Sequence, residues 1–405
     1  MKVLFLLLSS GSYFINILNK LSEHRDIEIV AIIPAGKSEN VGKGVHLADE
    51  KYKFDVHYLE EYKTWYGKTF FKGFMDVVNI ERPDIIIFHW PHILALTFYP
   101  LLYFKLRRQH IKLASREIPF GVPTLKQGIT FDLDNVIRDE DDPIKKPTFS
   151  LKLRMFLLTL ARKFYYPKID VHLNYADAAY EVLTSYGVDH NKIFVIYNSP
   201  DTEKLFSAKE KAAQMPPKLP ENFDRIIHVG RLVKWKRVDL LIEAVKKLEK
   251  KYPNIELVVV GYGPEEENLK NQAKNLGIKD RVIFTGGIYD QSELARYMLD
   301  SSIYVLAGMG GLSINDAMAF GKPVIVSVCD GTEKKLVFED LNGTFFEEGN
   351  LESLTSKIDF LLSDEELVKK MGENSAKIIK EKINMHTVVK GYLDAFRYVM
   401  GETGI

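Results

Sequence analysis

Short apolar runs alternate along this chain with stretches in which apolar residues recur every three or four positions. The alternation is cleanest in the second half. Ile226–Val229, Leu257–Val260, Val282–Phe284, Ile303–Leu306 and Val324–Val326 are compact, mostly apolar runs of the kind expected for strands buried on both faces. Between them, Val238, Leu241, Val245, Leu248 and Tyr252 follow helical spacing, and Glu293–Leu299 and Leu312–Phe320 read as further helices. Pro264 suits the first turn of a helix and Gly277 the position after its end. Strands that alternate with helices predict an α/β fold with a doubly wound parallel sheet.

The first half repeats this rhythm less regularly. Its candidate strands are Val3–Leu8, Ile27–Ile33, Ile85–Phe88, Lys112–Ser115, Val171–Leu173 and Ile193–Ile196. A polar stretch at Asn198–Asp224, broken by Pro216, Pro217 and Pro220, marks a domain junction. No internal repeat of 20–50 residues is visible. Gln127–Pro147 carries Asp132, Asp134, Asp139, Glu140, Asp141 and Asp142 and reads as a surface loop.

Length and composition narrow the picture. At 405 residues the chain exceeds one ordinary hydrophobic core, which predicts two domains. Lys+Arg and Asp+Glu both number 55, so nothing in the charge points to nucleic acid as a partner. The single cysteine, Cys329, excludes an intrachain disulfide framework, fits a reducing compartment and reads as inert. Lys2 precedes an apolar run, Val3–Leu8, that is too short for a good signal sequence; a strand, a tight loop at Ser9–Ser12 and a helix account for it. The longest apolar stretch elsewhere, Ile93–Phe104, is shorter than a bilayer span. A cytoplasmic protein is expected.

Three segments of the second half carry candidate chemistry. In His228-Val229-Gly230-Arg231-Leu232-Val233-Lys234-Trp235-Lys236, a strand ends in glycine and two cations follow five residues apart. A glycine lets backbone approach a diphosphate, and the cations offset charge that grows on a departing phosphate; a solvated basic loop would look the same in isolation. In Gly308-Met309-Gly310-Gly311-Leu312, glycines follow a strand and open a helix, where free N–H groups form an anion site. Asp316, one turn in, is placed to accept hydrogen bonds from ribose hydroxyls, or simply to complement the helix N-terminus. The loops at Gly261-Tyr262-Gly263-Pro264 and Thr285-Gly286-Gly287-Ile288 are suited to receive a nucleobase or are ordinary strand-to-helix turns.

Taken in order, these segments resemble the donor domain of family 4 glycosyltransferases, which have the GT-B architecture. The resemblance runs from Ile226 to about Leu362 and rests on Gly230-Arg231…Lys236, Gly261-Tyr262-Gly263, Phe284-Thr285-Gly286 and Gly311-Leu312…Asp316-Ala317-Met318-Ala319-Phe320-Gly321-Lys322-Pro323. Asn198-Ser199-Pro200-Asp201 is similar to the family's Asn-Gly-Val-Asp hinge signature. The resemblance implies two Rossmann-like domains facing across a cleft: residues 1–200 with a C-terminal helix at 385–405 for the acceptor, and residues 201–384 for the donor. It implies that the last helix packs on the first domain through Val388, Tyr392, Ala395 or Phe396, and Val399. It implies a retaining, metal-independent transfer from a UDP- or GDP-linked sugar to a glycan or lipid-linked acceptor, with no cofactor. Arg231 and Lys236 match the phosphate-binding pair, and Asp316 matches the second acid of the E-x7-E motif. Gly308 stands where the first acid belongs, and Arg237 replaces a glycine that often follows the lysine. Glu117, in Leu113–Phe120, aligns with the family's histidine beside the reacting carbon; it is a candidate catalytic carboxylate, or half of a structural ion pair with Arg116. Candidate substrate contacts are Gly11, His89, Gly263, Ile288, Gly308, Gly310, Gly311, Leu312 and Asp316.

Other signals carry less. Asp132-Leu133-Asp134 has the form of a metal-binding D-x-D but sits in the acidic stretch, and His89 and His92 lack a third ligand. A non-catalytic sugar-nucleotide module, an epimerase and a phosphorylase are the competing functions. Phe149–Tyr166 mixes Lys152, Arg154, Arg162 and Lys163 with large apolar residues, and Lys63, Lys68 and Lys72 interleave with Trp65, Tyr66, Phe70, Phe71 and Phe74. Such segments can rest on an anionic membrane. The apolar residues of Phe149–Tyr166 lie nearly all round, however, which suits an internal helix.

Overall fold

The computed structural model describes residues 1–8, 12–36, 51–117, 122–133, 148–327 and 333–402. The chain divides into two compact units. The first takes in Met1–Arg138, Lys145–Tyr197 and His386–Ile405; the second is built on Asn198–Met385.

The strands of the first unit are β1 (Lys2–Leu6), β2 (Glu28–Pro34), β3 (Asp55–Leu59), β4 (Glu61–Lys63), β5 (Thr69–Phe71), β6 (Ile85–His89), β7 (Lys112–Glu117), β8 (Val171–Asn174) and β9 (Ile193–Val195). Seven of them form a parallel sheet in the order β3-β2-β1-β6-β7-β8-β9, while β4 and β5 pair as a separate antiparallel hairpin. Val3, Leu4, Phe5 and Leu6 of β1 and all of β6 are buried, because helices cover both faces of the sheet.

The second unit contains β10 (Arg225–Val229), β11 (Glu256–Val260), β12 (Val282–Gly286), β13 (Ile303–Leu306), β14 (Val324–Ser327) and β15 (Gly343–Phe346). They form a parallel sheet in the order β12-β11-β10-β13-β14-β15. Helix Val238–Leu248 buries Val238, Leu241, Val245 and Leu248, four positions of the stripe expected from the sequence, together with Ile242, and ends before Tyr252. The helix after β12 begins at Gln291, two residues earlier than expected, because the Asp290 carboxylate accepts from the Glu293 backbone N–H and caps it.

In both sheets the order reverses once. The first strand of each sheet lies between that sheet's second and fourth strands in chain order, so its outgoing loop and that of the fourth diverge and leave a crevice at their C-terminal ends. The crevices open after β1 and β6 in the first unit and after β10 and β13 in the second.

The C-terminal helix, Met385–Met400, lies in the first unit from His386 onward. Val388, Tyr392, Ala395 and Phe396 are buried, with the Tyr392 ring 6.2 Å from that of Phe5. Gly391 permits the close approach: a Cβ there would stand 2.9 Å from Ile196 Cγ2.

Candidate functional site

The crevice of the second unit is assembled by three loops held together through backbone. Gly230 follows β10, and its N–H donates to Val260 O at 3.0 Å. Gly261, at φ +150°, passes so near that a Cβ would fall 1.9 Å from Gly230 O. A Cβ at Gly263 would fall 2.2 Å from Leu232 O, where the chains exchange Leu232 N–H to Tyr262 O and Glu265 N–H to Leu232 O, both at 3.0 Å. These two glycines are therefore fixed by packing of the loops against each other.

The loop after β13 is joined to the loop after β10 in the same way. Met309 N–H donates to Trp235 O at 2.9 Å, and a Cβ at Gly308 would stand 2.0 Å from that oxygen. The acid that the family resemblance called for at position 308 thus has no room in this backbone. Lys236 is buried, and its ammonium donates to Met309 O and Gly310 O, both at 2.7 Å. A Cβ on Gly311 would lie 3.3 Å from that ammonium. Lys236 therefore ties the glycine loop in place and puts a positive charge beside Gly310 and Gly311. The Arg231 guanidinium lies 5.7 Å from the Trp235 ring, within cation–π range. Leu312 ends the loop, and helix Ser313–Ala319 follows.

Behind the loops, Tyr304 Oη donates to Ser313 Oγ at 2.8 Å, tying β13 to the start of that helix. Burial pushes the Asp316 carboxyl up to about 7, and the carboxyl makes no hydrogen bond or ion pair among the described residues. It is an acceptor whose partner the described residues do not supply. His228 Nδ1 lies 3.1 Å from Val305 O, a carbonyl that only accepts, so Nδ1 carries the proton and Nε2 is an acceptor. That Nε2 is buried without a hydrogen-bond partner among the described residues, 3.3 Å from where a Gly230 Cβ would stand, and burial lowers the imidazole pKa to about 4. Ile288, partly buried, follows β12 between Gly287 and Tyr289. The Tyr262 ring lies over Gly287, and the exposed Tyr262 and Tyr289 rings meet edge-on at 6.4 Å.

The first unit presents a different environment. Glu117, at the end of β7, is 7% exposed. Its carboxylate accepts from Tyr166 Oη and, at 3.3 Å, from Tyr165 Oη, with Arg162 as the neighbouring charge. Burial raises its pKa, opposed by Arg162 and the two hydroxyls. Arg116 points to the other face of the strand, as successive strand residues do. Its Nε donates to Tyr392 Oη at 2.7 Å, and its guanidinium lies 4.0 Å from the Phe14 ring centre and 4.6 Å from that of Tyr175. The two residues thus have separate partner sets, in place of the mutual ion pair weighed from the sequence. His89 closes β6, buried against Phe14 at 5.4 Å between ring centres, its pKa held well down by burial. His92 turns away to Glu61 Oε1 at 3.3 Å and the rings of Phe70 and Phe71. Asp201 caps helix Thr202–Ala213 through Lys204 N–H. No three His, Cys, Asp or Glu residues among those described are grouped to hold a metal. Gly11, Asp134 and Cys329 lie outside the described residues.

Tyr304 and Tyr289 go unnamed in the sequence motifs, and His228 and Tyr262 stand in them with no role for their side chains. His228 and Tyr304 sit inside runs that pass for apolar strands; a polar residue at a position buried on both faces was the available signal.

Residues 210–378 match the family model described as glycosyl transferases group 1. An uncharacterized glycosyltransferase of Haemophilus influenzae is 36% identical over 168 residues, 41% of this chain and 46% of that protein. One of Methanocaldococcus jannaschii is 31% identical over 256 residues, 61% of this chain and 63% of that protein. The chain thus spans about half to three fifths of the length of these curated relatives. Over nearly the full length, Anabaena HepE, solved with UDP and with UDP-glucose, superposes with a TM-score of 0.66 at 20% identity in its UDP complex, covering 98% of this chain and 100% of that one. Two doubly wound units and this likeness establish the GT-B glycosyltransferase architecture, with the group 1 match falling on the unit that holds the Lys236 loop.

Proposed function

We propose that this protein is a retaining, metal-independent glycosyltransferase that moves a sugar from a nucleotide diphosphate sugar to a glycan or lipid-linked acceptor in the cytoplasm. The observation that carries the proposal is the Lys236 ammonium, held by the carbonyls of Met309 and Gly310 at the crevice between β10 and β13. A fixed cation beside a glycine-opened helix start is what a diphosphate requires. In the transfer, the bond between the anomeric carbon and the phosphate oxygen breaks and the diphosphate leaves with the bonding pair. The acceptor hydroxyl oxygen forms the new bond on the face the diphosphate leaves, and its proton passes to the departing phosphate oxygen. Arg231 and Lys236 stabilise the charge on the diphosphate, serving in place of a metal ion. The Asp316 carboxyl accepts from the ribose hydroxyls, and Tyr262, Gly263 and Ile288 receive the base. The HepE complexes support a UDP-linked donor. Gly308 leaves sugar recognition to groups other than the usual first acid.

Glu117 enters the scheme as a positioning residue. Its oxygens are engaged by Tyr165 and Tyr166, so direct contact with the sugar would require giving up one of these bonds.

The test is consumption of a panel of nucleotide sugars, with the anomeric configuration of the product read by NMR. Turnover that retains configuration and persists in EDTA is expected. An inverted product would remove the retaining assignment, and an absolute Mn²⁺ requirement would bring back Asp132 and Asp134 as metal ligands. Binding of nucleotide sugar without turnover would leave a non-catalytic module.

A further inference from the structure

Helix Phe149–Tyr165 is amphipathic in an unexpected direction. It is not wholly internal, as its all-round apolar composition suggested. Met155, Thr159, Arg162 and Tyr165 are buried, but Phe149, Leu153, Leu157, Leu160 and Phe164 are exposed, Phe149 by 75% and Leu157 by 58%. At 100° per residue these five fall within an arc of about 80°, forming a stripe roughly 22 Å long opposite the buried face. Lys152 and Lys163 flank one side of the stripe and Arg154 the other. Leu101 and Phe104 are likewise exposed on helix Pro100–Arg108. The two helices are joined where the Lys168 ammonium lies 3.1 Å from the Phe164 ring centre and Arg107 donates to Lys168 O at 2.6 Å. Trp65, 71% exposed at the β4–β5 hairpin, packs at 5.1 Å on Phe98, just before Pro100.

The charge around this face is predominantly positive, with Arg107 offset by Asp170 at 2.6 Å. Residues 100–112 contain four Lys or Arg and residues 149–169 contain five, and neither segment has an Asp or Glu, in a chain whose charges otherwise balance at 55 each. Lys105, Arg108, Arg154 and Lys163 are exposed. Burial, assisted by Arg154, lowers the pKa of Lys68 on the hairpin, so cations crowd one another here. Lys72, by contrast, is paired with Glu60 at 2.9 Å.

We propose that this face of the first unit docks on an anionic lipid surface, the Phe149–Phe164 stripe entering the headgroup boundary and the flanking cations meeting lipid phosphates. Large contiguous apolar patches are rarely left to water. A second copy of the chain would bring two cationic rims together, and a nucleic acid would not cover the apolar stripe; an anionic bilayer satisfies both. No helix among the described residues is long and apolar enough to cross a membrane, so the contact is peripheral. The proposal stands apart from the donor reading, since it needs no nucleotide.

The test is co-sedimentation of the full chain, without nucleotide, with phosphatidylcholine vesicles lacking or containing roughly one third phosphatidylglycerol. Binding is expected only to the anionic vesicles and should fall at least about tenfold in high salt. Leu157→Ser with Phe164→Ser should lower affinity by at least about tenfold. Arg154→Gln with Lys163→Gln should lower it by about fivefold per charge. All four side chains are exposed, and unchanged melting curves would verify that the variants fold. Absence of binding to anionic vesicles at low salt overturns the proposal, as does equal binding by the apolar double variant. So does a dimer in light scattering that the apolar variant converts to monomer while vesicle binding stays absent, which would make the face a self-association surface. Failure here leaves nucleotide-sugar turnover on a soluble acceptor intact, and failure of turnover leaves vesicle binding intact.

Discussion

The β10–β13 crevice and the Glu117 cluster both sit at strand C-termini, yet they are made of different materials. In the second unit, loops are zipped backbone to backbone, glycines stand where no side chain fits, and Lys236 is held by two carbonyls. Asp316 and His228 keep acceptors that no described residue fills with a hydrogen bond. In the first unit, Glu117 is enclosed by Tyr165, Tyr166 and Arg162. One region has acceptors and charge prepared for something that arrives; the other spends its carboxylate on its own side chains, although Arg162 Nε and Nη1 beside it are buried without a hydrogen bond among the described residues. Variants in the first kind of region should therefore break binding and turnover, and variants in the second should break stability.

The largest expected effect is on turnover. Arg231→Ala and Lys236→Ala should each cut it by at least about a hundredfold, roughly 3 kcal/mol of lost charge stabilisation, measured as kcat/KM for the best donor. Near-normal rates in both would sink the role assigned to the pair. Next comes Glu117→Gln. It replaces the buried carboxylate that Tyr165 and Tyr166 donate to and removes a negative charge near Arg162, 4% exposed, and should cost roughly 1–3 kcal/mol in denaturant unfolding. Nucleotide affinity should stay unchanged while turnover drops through displaced side chains. Unchanged stability with lost turnover would instead return Glu117 to direct contact with the sugar.

Gly308→Ala places a methyl against Trp235 O and should cost roughly 1–3 kcal/mol, with Gly308→Glu worse. A gain in activity from Gly308→Glu would contradict the steric account of the missing acid.

The smallest effect is a pH dependence. The free Asp316 carboxyl holds its proton to about pH 7, and accepting from ribose hydroxyls favours the ionised form, so binding releases a proton. Nucleotide affinity should rise by up to about tenfold per unit as pH increases towards 7 and level off above it. Asp316→Asn should lose that part of the slope in calorimetric titrations at pH 5.5, 6.5 and 7.5. A slope identical to wild type would assign it wholly to the phosphates. In the free protein the sign is opposite: stability from the raised carboxyl pKa is present below the usual carboxylate range and lost as pH rises through about 7.

The same contrast explains what could be read beforehand. Central strands such as β10, β11 and β13 are continuous apolar runs because both faces are covered, and they declare themselves. β3 pairs only with β2 at the sheet edge, its half-exposed Asp-Val-His-Tyr-Leu lacks such a run, and the sequence reading passed over it. β15, another edge strand, begins with glycine and was also missed. Arg231, Lys236 and Asp316 could be singled out because loop contacts made by backbone leave glycines at fixed intervals. The partners of Glu117 lie 48 and 49 residues downstream, and no spacing rule connects them. The outward face of Phe149–Tyr165 was hidden for a related reason. A helix apolar on every side gives periodicity nothing to orient, and only packing distinguishes Met155 from Leu157.

The central claim is that Lys236 and Arg231 hold a nucleotide diphosphate in the second unit. Calorimetric titration of UDP and GDP into the wild-type protein and Lys236→Met, without metal and with EDTA present, tests it most directly. The account predicts that one nucleotide binds the wild type at a single site and that the variant, still unfolding cooperatively, loses at least about tenfold in affinity. Equal affinity for the two proteins, or no binding of either nucleotide to the wild type, would contradict it.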